Sequence, residues 1–200
     1  MGSGAVAGLG QTGRAITRDA ILASGTILTL VAALSFLRAD SGWLRRSVES
    51  LALFGSDPSL MTDGSFLAIL IRNAGVAAFL FSGVVTAGVT TLAALVLTAF
   101  AIGTSMALVQ SASGWIRLLG DVAWYAPIEF ASLAVVGAAG LVPLLSALRA
   151  GAGDSEERQP RRGPLHRYLA ALPAALRLGV LGFVGIVIGA AVESAVIALR

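Results

Sequence analysis

Residues 125–133, Tyr-Ala-Pro-Ile-Glu-Phe-Ala-Ser-Leu, begin an apolar run of more than twenty residues with a carboxylate, Glu129, in its first turn. An apolar run of about 20 residues has the length of a helix that crosses a bilayer. A charged side chain inside such a helix costs free energy unless a partner compensates its charge. The stretch therefore predicts a membrane-spanning helix and an intramembrane partner for Glu129.

The composition of the whole chain is that of a membrane protein. Of its 200 residues, 56% are hydrophobic and 12% are charged, and the mean hydropathy is +0.87. All 14 basic residues are arginines, which lie mostly at the ends of apolar runs and form no continuous basic patch, so we expect no nucleic-acid partner. The chain has no cysteine and one histidine, which predicts no metal site, and we expect no cofactor.

Hydropathy predicts an all-α fold, a polytopic transmembrane helix bundle with about five spans. The run from 66 to 109 is too long for one span, so we place a break at Thr86-Ala-Gly88. Pro127 suits the first turn of the fourth span, and Pro143 is expected to kink it. The predicted spans cover about residues 20–37, 66–86, 89–109, 126–148 and 173–198.

The polar segments define the remaining organisation. Residues 1–19 are predicted to form a cytoplasmic N-terminal tail, and residues 20–200 a single transmembrane domain. Apolar residues at helical spacing predict short interfacial helices over about 43–52 and 165–172. The 149–172 connection holds five arginines and the tail two, and arginine-rich loops stay in the cytoplasm. We therefore expect a multi-pass protein of the cell membrane with its N-terminus cytoplasmic and its C-terminus outside.

Three charged residues inside the predicted spans meet in one leaflet. Arg72 is early in the second span, Glu129 early in the fourth and Glu193 late in the fifth, which places all three near the same membrane face. Asn73 lies beside Arg72. One interpretation is a structural ion pair that fixes the register of the helices. The other is a functional polar site open to the outer face, where two close carboxyl groups share a proton or hold a substrate.

Small residues mark the helix faces that carry these acids. At about 100° per residue, Gly182, Gly185 and Gly189 lie on the same face of the fifth span as Glu193. Gly185 and Gly189 form a GxxxG pair, which allows close approach of another helix. The same arithmetic aligns Glu129, Ser132, Val136 and Gly140 on the fourth span. We predict that these two faces pack together.

The basic loop is a separate candidate for contacts outside the hydrocarbon core. Its arginines are expected to fix the topology and to contact anionic lipid, or to dock a cytosolic partner. These residues are Arg158, Arg161, Arg162 and Arg167.

Three segments of the chain resemble a known family. They are Arg72-Asn-Ala-Gly-Val-Ala-Ala-Phe79, Glu129 followed by Val-Gly-Ala-Ala-Gly-Leu141, and Ala190-Ala-Val-Glu193-Ser. Over about residues 66–200 the chain resembles the stage II sporulation protein M family of membrane proteins. That family usually has a His-Gly pair before the first glutamate, where this chain has Tyr125 and Ala126, so no histidine-dependent role is carried over.

The resemblance implies a membrane complex with peptidoglycan-degrading partners in endospore formers, although relatives also occur in organisms that do not sporulate. Since no nucleophile-base pair, metal cluster or phosphate loop is visible, we expect no enzymatic activity. The first hypothesis is a scaffold or assembly subunit of a bacterial envelope complex, which contacts the lipid bilayer and other membrane or envelope proteins. The alternative is a permease-type subunit of an exporter, driven by a separate cytosolic ATPase that docks on the 149–172 loop.

Overall fold

A computed structural model describes residues 3–38, 65–149 and 163–199. Five long helices account for nearly all of these residues, and no strand occurs among them. Each of them, α2 together with the turn that continues it to Val84, has the length and composition needed to cross a membrane. The predicted all-α, multi-pass bundle is confirmed. The helices are α1 (Ser3–Arg38), α2 (Phe66–Phe81), α3 (Val89–Val122), α4 (Ala126–Leu148) and α5 (Pro164–Ala198).

The turn between α2 and α3 covers residues 82–88, so it includes the predicted break at 86–88 and begins four residues before it. After α2 ends, Ser82–Val84 form one turn of 3-10 helix. Gly88 then adopts a left-handed backbone with φ of 83° at the N-cap of α3. Glycine takes this conformation without the steric penalty that a Cβ brings. A Cβ there would also lie 2.8 Å from Leu144 Cδ2, so the turn is seated closely on α4.

Helix α4 is the centre of the described bundle. In its most apolar window 61% of the residues are buried, compared with 22–28% in the windows of the other four helices. It packs most extensively against α5 and next against α1, and it also contacts α2 and α3. Small residues from Gly137 to Gly140 allow these neighbours to approach closely. The packing partner of Gly140 differs from the predicted one. A Cβ at Gly140 would meet Thr91 of α3 and the carbonyl oxygen of Leu80 in α2, rather than α5.

Several helices are longer than the predicted spans. The predicted tail is helical from Ser3 onward, and α5 begins at Pro164 rather than near residue 173. Pro173 is therefore inside a continuous helix, and the expected interfacial helix over 165–172 is its first part. Hydropathy identifies the part of a helix that is apolar enough for the hydrocarbon core, but it does not identify polar turns that continue the helix. The other expected interfacial helix, over 43–52, lies outside the described residues.

Helix α3 also continues beyond its predicted end. It extends through the expected connection to Val122, with a break at Gly114, whose φ is 78° and ψ is 169°. The polar residues of this segment thus follow the apolar span without a loop. Phe36 at the end of α1 lies beside Trp115 just after the break, with ring centroids 5.4 Å apart.

The alternation of the helices gives the bundle two different ends. One end of the bundle contains the N-terminus of α4 and the C-terminus of α5, and we call it the carboxylate end. The opposite end contains the α2–α3 turn, and we call it the hairpin end. At the hairpin end the Tyr168 hydroxyl of α5 donates to the Val84 carbonyl at 2.5 Å. Arg149, just after α4, pairs there with Asp19 of α1. The cytoplasmic position of this end stays a prediction.

Candidate functional site

Two adjacent residues of α2 reach two different helices at the carboxylate end. Ser65 caps α2, and its Oγ accepts a hydrogen bond from the Ala68 N–H at 3.4 Å. Nearly two turns later, the Arg72 guanidinium lies 3.5 Å from Glu193 Oε1 on α5. Asn73 Nδ2 donates to Glu129 Oε1 on α4 at 2.8 Å. Successive helical residues point about 100° apart, so this one dipeptide ties α2 to both α4 and α5.

The Glu129 side chain lies against a glycine of α5. A Cβ at Gly189 would be 2.8 Å from Glu129 Cγ, so only a glycine leaves room for this side chain. Glu193 follows Gly189 by one helical turn, and the adjacent residues Asn73 and Arg72 hold Glu129 and Glu193 as neighbours. Arg72, Asn73, Glu129 and Glu193 together form what we call the polar cluster, which joins three helices.

The polar cluster is partly open to its surroundings. The Arg72 side chain is 45% exposed, whereas that of Glu193 is only 11% exposed. Glu193 Oε2 is buried and accepts no hydrogen bond within the described part of the chain. The arrangement thus has two carboxyl groups to one guanidinium, and a carboxyl oxygen without a donor. A buried oxygen of this kind loses its hydration without a compensating bond, which is costly.

The glycine face of α5 continues away from the polar cluster along α4. A Cβ at Gly185 would overlap the Ser132 hydroxyl, and a Cβ at Gly182 would lie 2.5 Å from Val136 Cγ2. Ser132 Oγ donates to the Ile128 carbonyl of its own helix at 2.6 Å. Its hydroxyl is therefore satisfied within α4, and the contact with Gly185 is one of shape.

The remaining predicted site residues are distributed differently. Arg167 lies in the first turn of α5, where its N–H donates to the Gly163 carbonyl at 3.2 Å. Arg158, Arg161 and Arg162 lie outside the described residues. Tyr125, at the position of the usual family histidine, precedes α4 and accepts the Glu129 N–H through its carbonyl at 3.1 Å. Across residues 3–38, 65–149 and 163–199, no group of three side chains of metal-binding type occurs.

A second charged contact, which lies at the hairpin end, was not predicted from the sequence. Asp19 accepts from Arg18 at 3.2 Å and also pairs with Arg149. The available signal was topological, since Asp19 and Arg149 flank spans that the five-span arrangement brings to the same membrane face. Arg177 was also overlooked, and it is an exposed residue of α5 inside the apolar segment.

Comparison with known proteins places the chain in a family. The family whose sequence model matches is described as Stage II sporulation protein M, and the match covers residues 20–197. No curated protein and no solved structure gives a significant match. The matched region begins in α1 and ends in α5, so it includes every helix described above and all four residues of the polar cluster. This protein is therefore a multi-pass membrane protein of the stage II sporulation protein M family.

Proposed function

We propose that the protein is a scaffold or assembly subunit of a bacterial envelope complex, with residues 20–200 acting as one transmembrane domain. The observation that carries the proposal is that α1 and α5 both extend toward the hairpin end. With 36 and 35 residues they are longer than a bilayer requires. At 1.5 Å per residue each reaches about 50 Å, compared with a hydrocarbon core of about 30 Å. A part of each helix is thus available to partners outside the core.

Two contacts hold these extensions in position relative to the rest of the bundle. The Tyr168 hydroxyl attaches α5 to the Val84 carbonyl, and Asp19 attaches α1 to Arg149. The polar cluster fixes α2, α4 and α5 at the opposite end. A scaffold needs such fixed geometry together with free faces, and the outer helices bury only 22–28% of their apolar windows. In this interpretation the polar cluster has the structural role of fixing register.

The family is not known as an enzyme family, which is consistent with a scaffold. We propose that the protein has no catalytic activity. We propose that its partners are other membrane or envelope proteins. The resemblance stated above makes peptidoglycan-degrading proteins the first partners to examine. The lipid bilayer itself is a partner through the apolar outer faces of the helices.

A specific observation also favours the second candidate, a permease-type subunit of an exporter. Adjacent residues of α2 hold Glu129 and Glu193 as neighbours within the apolar segment, and Glu193 Oε2 has no hydrogen-bond donor in the described part of the chain. A proton shared between the two carboxyl groups would supply that donor and balance the charge against Arg72. Intramembrane acids that bind protons are common in transporters.

Affinity purification in mild detergent separates the two candidates. For the exporter we expect co-purification of a cytosolic ATPase that is lost when Arg158, Arg161, Arg162 and Arg167 are all changed to glutamine. For the scaffold we expect envelope hydrolases or other membrane proteins, retained in this variant. The Arg177→Gln variant serves as the control, since it removes an exposed arginine outside the loop. Recovery of the ATPase alone, with loss on neutralisation, would contradict the scaffold.

A further inference from the structure

A groove at the hairpin end lies between α1 and α5, away from the polar cluster. It has a volume of about 530 Å³ and is lined by α1 residues between Gly13 and Leu22 and by Ala174 of α5. The groove is shallow and largely open to its surroundings, so it suits a molecule that lies along the surface of the bundle. The groove opens on the outer surface of the bundle, where the neighbouring molecules are lipids.

The lining of the groove is mostly apolar, and two arginines lie at one end of it. Arg14 and Arg18 lie one turn apart at one end, and Ile21 and Leu22 follow one turn further on. Ala174 completes the apolar part from α5. This order follows the path from the membrane surface into the hydrocarbon core. The arginines lie at the N-terminal end of the α1 span, and the apolar residues lead into it. An occupant must therefore combine a polar head with an apolar tail.

The charges at the end with the two arginines favour an occupant with an anionic head group. Asp19 is the one acid contacting this region within the described part of the chain, and it is bonded to both Arg18 and Arg149. Arg14 is exposed and makes no ion pair or hydrogen bond with another described residue. The Arg18 side chain is 73% exposed despite its bond to Asp19. Guanidinium donors in this position are suited to a phosphate group.

We propose that this groove binds an anionic phospholipid of the surrounding leaflet. Its phosphate lies between Arg14 and Arg18, and one acyl chain lies along Ile21, Leu22 and Ala174. A free phosphate ion would occupy only the basic end and leave the apolar part uncovered. A neutral phospholipid would fill the groove without balancing the charge of the two arginines. The proposal is independent of the scaffold and exporter functions.

Native mass spectrometry of the full-length protein in detergent tests this site, with phosphatidylglycerol and phosphatidylcholine as probes. We expect preferential binding of phosphatidylglycerol. An arginine near a membrane surface contributes about 1 kcal/mol toward an anionic lipid, which corresponds to about fivefold in affinity. Arg14→Gln should therefore weaken phosphatidylglycerol binding about fivefold, and Arg14→Gln with Arg18→Gln still further.

Two further variants separate the site from general electrostatics. Ala174→Phe fills the apolar part without changing charge, and we expect it to weaken binding of the lipid but not of inorganic phosphate. Arg177→Gln removes an exposed arginine less than one turn beyond Ala174 but outside the groove, and it should leave binding within about twofold of wild type. Equal binding of the two lipids, equal losses in Arg14→Gln and Arg177→Gln, or no effect of Ala174→Phe would each overturn the proposal.

Folding of the variants is checked without added lipid. Arg14 has no hydrogen bond or ion pair in the described part of the chain, and Ala174 is exposed, so neither substitution removes a contact of the protein core. Their thermal unfolding in detergent alone should match wild type. This makes a loss of lipid binding in Arg14→Gln attributable to the groove even if the double arginine variant is less stable.

Discussion

Glu193 and Glu129 are neighbours in the polar cluster but have different hydrogen-bond and ion-pair partners. Glu193 is nearly buried and pairs with the Arg72 guanidinium, whereas Glu129 accepts a hydrogen bond from the neutral Asn73 side chain. Removing the charge of Glu193 leaves Arg72 without its carboxylate. Removing the charge of Glu129 leaves a carbonyl oxygen that still accepts from Asn73. The two acids are thus unequal in the free energy that each contributes to folding.

We therefore predict unequal effects of Glu193→Gln and Glu129→Gln. Breaking a buried ion pair costs about 3–5 kcal/mol, but Arg72 is 45% exposed, so we expect about 1–2 kcal/mol for Glu193→Gln. Glu129→Gln keeps an oxygen that accepts from Asn73 and should change stability by less than about 1 kcal/mol. Thermal or denaturant unfolding in detergent measures both. Equal destabilisation by the two variants would contradict the assignment of Arg72 to Glu193.

The same variants separate a structural from a functional polar cluster. If the polar cluster only fixes the register of the helices, the Glu129→Gln variant should support the function of the envelope complex in cells as well as the wild type does. If a proton or substrate binds there, Glu129→Gln loses activity while its stability is unchanged. The readout is therefore the activity of a variant that inserts and folds normally.

At the scale of the helix, the contact between α4 and α5 depends on glycines at particular positions. Gly185 lies against Ser132, and Gly189 lies against Glu129, so the face carries the acids close to the neighbouring helix. The sequence predicted this face from helical phase alone. Its assignment of Gly140 to the contact with α5 was wrong, because helical phase gives the direction of a side chain but not which helix occupies that direction. That information requires the packing order around α4.

We predict that Gly185→Ala destabilises the bundle by about 1–3 kcal/mol, because the added methyl overlaps the Ser132 hydroxyl. Combining it with Ser132→Gly should restore most of the loss, since the Ser132 hydroxyl bonds only within its own helix among the described contacts. Gly75→Ala in α2 is the matched control. A Cβ at Gly75 meets nothing within 4 Å, so this variant should be neutral or slightly stabilising. Unfolding of all four proteins in one detergent provides the comparison.

Helix boundaries show where hydropathy is informative and where it is not. The predicted span of 126–148 coincides with α4, because Pro127 begins that helix and polar residues follow its end. For α1 and α5 the apolar segment covers only part of the helix, and the helix continues through the polar turns. Pro173 was interpreted as a helix start, yet proline is tolerated inside membrane helices when neighbours stabilise them.

For the whole molecule, the described contacts give two differently built ends. The carboxylate end has an intramembrane polar cluster between three helices. The hairpin end has the Asp19–Arg149 pair, the Tyr168 contact and the lipid groove. The alternation of five spans predicted which helix ends lie together. It could not reveal the individual pairs, because a pair such as Asp19 with Arg149 depends on the distance between α1 and α4.

The absolute orientation of the bundle is the last prediction, and the absence of cysteine makes it directly measurable. Single cysteines at Leu165 and Leu199 replace exposed side chains at opposite ends, with 71% and 88% exposure. Since the arginine-rich loop should be cytoplasmic, a membrane-impermeant maleimide added to intact cells should label Leu199→Cys, and Leu165→Cys only after permeabilisation. Ala138→Cys, at a fully buried position, should stay unlabelled in both conditions. Labelling of Leu165→Cys in intact cells would place the hairpin end outside and contradict cytosolic ATPase docking at that end.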